Sequence, residues 1–195
     1  MTDSNATDLV VSREETQARI NRYAAGARTP LPSDHWTVID RFEQLAAGQP
    51  DRTCLIYQGR SLSYAELDAM AGRHASLALA CGLKAGDVAA VMIENRPEFF
   101  IAWMGLAKIG VTAALINTQA RNQALEHAIR ETRCKLLFLG AECLEQFRET
   151  AMCATGEIET FVIADETPLP ALPATVADIA PRLARLPPLA DAAAH

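Results

Sequence analysis

An α/β fold, with a parallel sheet built from βαβ units and a small N-terminal hairpin, is predicted by three features of this chain. The run 88–93 (VAAVMI) is apolar without polar alternation, as a strand covered on both faces is, and further strands are read at 111–116 (VTAALI), 135–139 (KLLFL) and 160–164 (TFVIA). Their starts lie 23, 24 and 25 residues apart, which leaves room for a crossover helix each time. The pair Gln58-Gly59 separates two short β-prone segments, 53–57 and 60–62, as in a tight antiparallel hairpin.

The elements follow in order. Residues 1–30 are a polar lead-in, closed by Pro30 and Pro32. Thr37 caps a short helix with Asp40 at its third position and Val38, Phe42 and Leu45 at helical spacing, ended by Gly48 and Pro50. After the hairpin, Ser63 and Glu66 form a capping box ahead of an apolar face of Leu67, Ala71, His74, Ala78 and Cys81, and Gly82 stops the helix. Pro97 and Glu98 open the next helix, and Lys108 and Gly110 close it. Asn122 is expected to cap a helix that buries Leu125, Ala128 and Ile129, and 141–150 reads as one more. Residues 31–165 thus form the α/β unit. From Glu166 to His195 there are six of the ten prolines, nine alanines and no glycine, which reads as a linker or tail with one helical turn.

Length and composition set bounds. A chain of 195 residues suits one domain. Half is apolar, but 36 residues are alanine, which buries little per side chain. A net charge of -6 disfavours a nucleic-acid partner. Fifteen arginines against three lysines, with the alanine excess, suggest the codon bias of a GC-rich, bacterial genome. The longest apolar run, 99–107, is too short to cross a bilayer, and the N-terminus lacks the pattern of a secretory signal. Five cysteines without CxxC spacing disfavour a disulfide framework or a zinc site, so a cytoplasmic location is expected.

Ligands of parallel sheets sit beyond the carboxyl ends of the strands. Those ends lead into Glu94-Asn95-Arg96, Asn117-Thr118-Gln119, Gly140-Ala141-Glu142 and Asp165. None is glycine-rich, and no GxGxxG or GxSxG occurs. Residues 105–112 have the glycine spacing and final Thr of a P-loop, but Val111 stands where the phosphate-binding Lys belongs. Helix-end packing is the expected role of that segment. His74 and His127 read as half-exposed helical histidines, and Cys54, Cys81 and Cys134 as small buried apolar groups. For Glu94, Asn95 and Arg96, loop capping outweighs catalysis.

LSYAEL at 62–67 and LAKIG at 106–110 with 111–118 resemble the first and second core motifs of the adenylate-forming enzymes. Between them, GLKAGDV at 82–88 and ENRPEF at 94–99 fit the same family in order and spacing. NRPEF and INTQAR at 116–121 are most similar to the fatty-acid transport protein and very-long-chain acyl-CoA synthetase branch, and the resemblance covers 36–165. It implies an ATP-dependent, AMP-forming fatty acid-CoA ligase that works through an acyl-adenylate, with ATP, Mg and coenzyme A as cofactors. In the family a TSGTTGxPK-type phosphate loop, an aromatic-Gly-x-Thr-Glu element, a TGD motif and a C-terminal Lys carry the chemistry; none occurs here. Thr155-Gly156-Glu157 imitates TGD over three residues but precedes the place of the phosphate loop, so it is read as chance.

No catalytic, cofactor-binding or metal-binding residue therefore carries over. The expectation is an incomplete N-terminal subdomain of the adenylate-forming fold, from a truncated or split synthetase, inactive alone and without a cofactor of its own. Its implied partner is the missing C-terminal portion; the fatty acid belongs to the complete enzyme, and the branch leaves peripheral membrane attachment open. The alternative is a non-catalytic α/β module that binds a ligand or partner. A fragment should leave a broad apolar face uncovered, whereas a module should close on itself.

Overall fold

The computed structural model describes residues 12–26, 37–165 and 167–189. They belong to two compact units, Met1–Thr37 and Val38–His195. In the first, α1 (Arg13–Gly26) is exposed along 13–25. Its start is a reciprocal box: the Ser12 N–H donates to Glu15 Oε2 at 2.9 Å, and the Glu15 N–H donates to Ser12 Oγ at 3.1 Å. The polar lead-in read over 1–30 thus contains a helix. Residues 1–11 and 27–36 lie outside the described residues.

The second unit opens with α2 (Val38–Gly48), which buries Ile39 and Phe42. Val38, expected on the buried face, is exposed; the apolar stripe runs one position later. Strands β1 (Thr53–Tyr57) and β2 (Arg60–Ser63) pair antiparallel, with Tyr57 opposite Arg60. Gln58 and Gly59, at φ 48° and 78°, supply the two left-handed residues of the turn. Ser63 then caps α3 (Tyr64–Ala80) with the expected box: Glu66 Oε2 accepts the Ser63 N–H at 2.8 Å, and Ser63 Oγ accepts the Glu66 N–H at 3.2 Å.

A five-stranded parallel sheet follows, in the order β4 (Thr112–Leu115), β3 (Val88–Met92), β5 (Leu136–Gly140), β6 (Glu159–Ile163), β7 (Val176–Asp178). The helices between strands are α4 (Pro97–Lys108), α5 (Asn122–Thr132), α6 (Leu144–Arg148) and α7 (Ala151–Thr155), the last two after a 3-10 turn at Ala141–Cys143. Asn122 does not cap α5: Arg121 holds the cap position, and Asn122 is the first helical residue with φ 50°. Alternate strand residues enter two cores. Ala89, Val91, Leu136, Phe138 and Phe161 pack with α3 and α4, and Ala90, Met92, Leu137, Leu139 and Val162 pack with α5, α6 and α7. A third cluster joins α2, α3 and α4 to the hairpin through Phe42, Leu67 and Met104.

The tail departs from expectation. Residues read as a linker contain a fifth strand, β7, paired with β6 from Thr160↔Val176 to Val162↔Asp178, while the one expected helical turn is α8 (Ala180–Leu183). Leu169 and Leu172 pack on one core, and Leu183, Leu186 and Leu189 on the other, so burial rather than period explains their placement. The chain is then held on α3: Ser76 Oγ donates to the Pro187 carbonyl at 2.7 Å, and the Leu189 N–H donates to the Gly72 carbonyl at 3.0 Å. Glu166 and 190–195 lie outside the described residues. Both sheet faces are covered, and the large apolar side chains exposed among the described residues include Val38, Ile56, Met70 and Leu115.

Candidate functional site

In this strand order β3 connects outward to β4, and β4 returns to β5 on the far side of β3. The crevice between the ends of β3 and β5 is thus a topological switch point, where doubly wound sheets usually bind ligands. The structure brings Glu94 and Arg96 from the end of β3, Glu142 from the end of β5 and Asp165 from beyond β6 to this rim.

Arg96 occupies its centre. It stands at the cap position of α4 with extended backbone, and Pro97 fills the first turn of the helix, where a missing N–H costs nothing. Its side chain is 7% exposed. Nη1 donates to Glu98 Oε2 at 2.7 Å and to the Ala164 carbonyl at 3.0 Å. Nη2 donates to the Ile163 carbonyl at 2.8 Å and to Glu142 Oε2 at 3.2 Å, and Nε reaches Glu142 Oε1 at 3.4 Å. A guanidinium has five N–H donors, and these contacts use them all. Burial by itself would lower the Arg96 pKa, but hydrogen bonds and charge from Glu142 and Glu98 outweigh it and hold the group above its ordinary value.

Glu142 completes the plug. Its Oε1 accepts the Glu94 N–H at 2.7 Å, and its carboxylate lies where a β-carbon at Gly140 would stand. The switch point is therefore filled by the chain's own side chains. Arg96 ties the ends of β3, β5 and β6 to the start of α4, which is the loop-capping role expected of it.

Above this plug is a cleft of about 440 Å³, walled by Tyr57, Gln58 and Arg60 of the hairpin and by Glu98, Glu142 and Asp165. Hydrogen bonds from the Thr167 hydroxyl and N–H hold the Asp165 carboxyl below its usual value. Carboxylates of Glu94, Glu98, Glu142 and Asp165 outnumber the guanidiniums of Arg60 and Arg96 around it. A polyphosphate needs the reverse balance, or a nest of free N–H groups. These residues do not fit a nucleotide. A hollow of about 460 Å³ between the ends of β3 and β4, lined by Asn95, Asn117 and Thr118 among others, has no cation. Among the described residues no three His, Cys, Asp or Glu side chains are placed to hold a metal ion.

The remaining candidates do not line this cleft. His74 is buried, not half-exposed: Nδ1 lies 3.0 Å from the Met70 carbonyl, Nε2 has no partner, and the ring meets Phe138 edge-on. His127 is well exposed. Cys54, Cys81 and Cys134 are half-buried, whereas Cys143 and Cys153 are buried. Burial, then Glu159, pushes the Cys81 thiol up to about 11, and burial, then Glu142 and Glu94, pushes Cys143 up to about 12. Neither is poised as a thiolate nucleophile. The P-loop-like segment is packing: a β-carbon at Gly105 would stand 2.7 Å from both the Ala71 carbonyl oxygen and His74 Cβ, so glycine lets α4 cross α3 closely.

Lys108, whose place in the sequence marks it only as a charge closing a helix, lies in the interior. It is fully buried, with Nζ 2.6 Å from Glu43 Oε1 and 2.9 Å from Asp68 Oδ1, joining α2, α3 and α4. Burial favours the neutral amine, but the hydrogen bond that Nζ donates to Glu43 and the charges of Asp68 and Glu43 outweigh it and hold the pKa above its ordinary value.

The sequence model of the AMP-binding enzyme family matches residues 42–191. The chain belongs to that family. It is 36% identical over 160 residues to long-chain fatty acid transport protein 1 of Rattus norvegicus, covering 80% of this chain and 25% of that one. It is also 32% identical over 132 residues to a 3-hydroxybenzoate/4-hydroxybenzoate-CoA ligase of Thauera aromatica, covering 66% of this chain and 24% of that one. A solved benzoate CoA ligase from Burkholderia xenovorans LB400 shares the fold, with a TM-score of 0.65 at 18% identity over 82% of this chain and 30% of the other. The chain spans about a quarter of the length of the fatty acid transport proteins it matches.

In this AMP-binding family chain, the motifs that carry the likeness map onto scaffold. LSYAEL is the end of β2 and the capped first turn of α3. LAKIG holds the buried Lys108 and ends at Gly110, whose φ of 67° and carbonyl bond to the Gly86 N–H at 2.9 Å make the turn into β4. ENRPEF is the Arg96 clamp and the start of α4. Among the described residues, no helix is long and apolar enough to cross a membrane.

Proposed function

We propose that this chain is the N-terminal scaffold of an ATP-dependent, AMP-forming acyl-CoA ligase acting on long-chain fatty acids, and that by itself it does not form an acyl-adenylate. The observation that carries this reading is the 36% identity to a long-chain fatty acid transport protein over four fifths of the chain. It is joined to a switch point whose central cation, Arg96, is wholly engaged by the chain's own acceptors. Adenylation develops negative charge on phosphate, and stabilising it takes preorganised donors or cations that the switch point does not offer. ATP, Mg and coenzyme A belong in this proposal to the complementary portion of the enzyme.

Two measurements test it. The purified chain, given ATP and palmitate, should show no fatty-acid-dependent pyrophosphate exchange; exchange above background would overturn the claim of inactivity. Residues 38–189 should also replace the matching segment of the rat transport protein with long-chain acyl-CoA formation retained. A folded but inactive rat chimera, beside an active one built in the Thauera ligase, would refute the fatty-acid assignment.

A further inference from the structure

We propose that β4 is a self-complementary edge through which two copies of this chain pair about a two-fold axis, joining their five-stranded sheets into one. The two edges of the sheet differ in kind. β7 has three residues, carries Asp178 and lies between Pro173 and Pro181, the devices by which natural edges are blunted. β4 reads Thr-Ala-Ala-Leu, without charge or proline. Its register with β3 runs unbroken from Val88↔Thr112 to Val91↔Leu115, so no bulge turns the edge away.

The main chain of β4 defines what can dock. The Thr112 N–H donates to the Asp87 carbonyl at 2.8 Å, and the Ile116 N–H to the Val91 carbonyl at 2.9 Å. Strand alternation then turns Thr112, Ala114 and Ile116 toward β3, and leaves the N–H and C=O of Ala113 and Leu115 facing outward. Among the described residues no strand lies beyond β4. The Leu115 side chain is 57% exposed, while Ile116 beside it is 8% exposed. The fitting partner is therefore an extended backbone with small, uncharged side chains.

A second copy meets those terms. Antiparallel pairing about an axis through Ala114 sets Ala113 of one copy against Leu115 of the other, and the two exchange both main-chain hydrogen bonds. Ala114 then faces Ala114, the closest contact, where small side chains suit. Thr112 faces Ile116, and no like charges oppose across the junction. The contact is isologous and closes at two copies. Pairing at β4 is independent of acyl activation, so either can fail without the other.

Light scattering on the chain across a concentration series should show a monomer–dimer equilibrium. Leu115→Lys, which places a charge on the exposed edge, should shift it to monomer. Ala113→Pro should do the same, because it deletes an outward N–H and leaves the bonds to β3 in place. Both variants should keep the circular dichroism and melting of the parent. Amide exchange at Ala113 and Leu115 should slow as concentration rises. A chain that stays monomeric throughout, or a dimer that persists in both variants, overturns the proposal. So does a monomeric chimera with the rat protein in which the Leu115 amide is already protected, since the occupant would then be a strand of the same enzyme.

Discussion

Glu142 holds its carboxylate in the space that a β-carbon at Gly140 would need, and from there accepts the Glu94 N–H at 2.7 Å. Glycine at 140 is thus required by a side chain two residues on, not by a strained backbone angle. Gly140→Ala should displace Glu142 and loosen Arg96, costing about 2–3 kcal/mol in urea unfolding. Arg96→Ala should cost about 2–4 kcal/mol, because it leaves the Ile163 and Ala164 carbonyls and two carboxylates without their donor. The double variant should lose less than the sum, since both changes break one network.

Lys108 offers a second test of buried charge. Lys108→Met alone should destabilise by about 2–4 kcal/mol, since Glu43 and Asp68 are left facing each other. The triple variant Lys108→Met, Glu43→Gln, Asp68→Asn should recover most of that loss, measured by the urea midpoint. Failure to recover would mean that Lys108 acts through its packed methylenes rather than its charge.

His74 sets a pH dependence of definite sign. Burial lowers its pKa below the ordinary value, only partly offset by the Met70 carbonyl and the charge of Glu98. The unfolded chain therefore takes up a proton near pH 6.5 that the fold does not. Stability is fully present above that value and is lost as pH falls through it toward the folded pKa. The urea midpoint of the parent should drop between pH 7 and about 5, and that of His74→Leu should stay nearly level. Carboxylates with lowered pKa, such as Asp87 and Glu157, titrate below this window.

Gly72 governs the strap that returns over α3. A β-carbon there would stand 2.7 Å from the Leu189 carbonyl oxygen and 2.9 Å from its nitrogen, both backbone atoms that cannot swing aside. Gly72→Ala should lift residues 187–189 off the helix and speed proteolytic cleavage after Arg185, while the sheet core keeps its amide protection. Unchanged cleavage would show that Ser76 and the packed Leu186 and Leu189 hold the strap without the Gly72 contact.

Strands β3, β4, β5 and β6 were legible because each is a short, largely apolar run between helix signals, and the capped start of α3 because Ser63 and Glu66 act three residues apart. β7 was not, since three residues flanked by prolines carry no periodic signal and depend on β6 for pairing. The clamp was half legible. Strand ends named Glu94, Arg96, Glu142 and Asp165, but nothing local says that Arg96 spends its donors on Glu142 and on carbonyls near 164. Lys108 hid for the same reason, its partners lying far back at Glu43 and Asp68. His74 did carry a signal: it falls on the apolar stripe with Leu67, Ala71 and Ala78, and that spacing described its burial better than its chemistry did.

The strand order has a bearing on how the chain is made. β3, the first parallel strand synthesised, has its hydrogen-bonding edges taken by β4 on one side and β5 on the other, and β6 and β7 then add outward in turn. No strand must be inserted between two already paired, so each emerging segment meets a ready edge. The sheet can be laid down in the order of translation, leaving the Thr112–Leu115 margin as the first surface to be finished and the last to be covered.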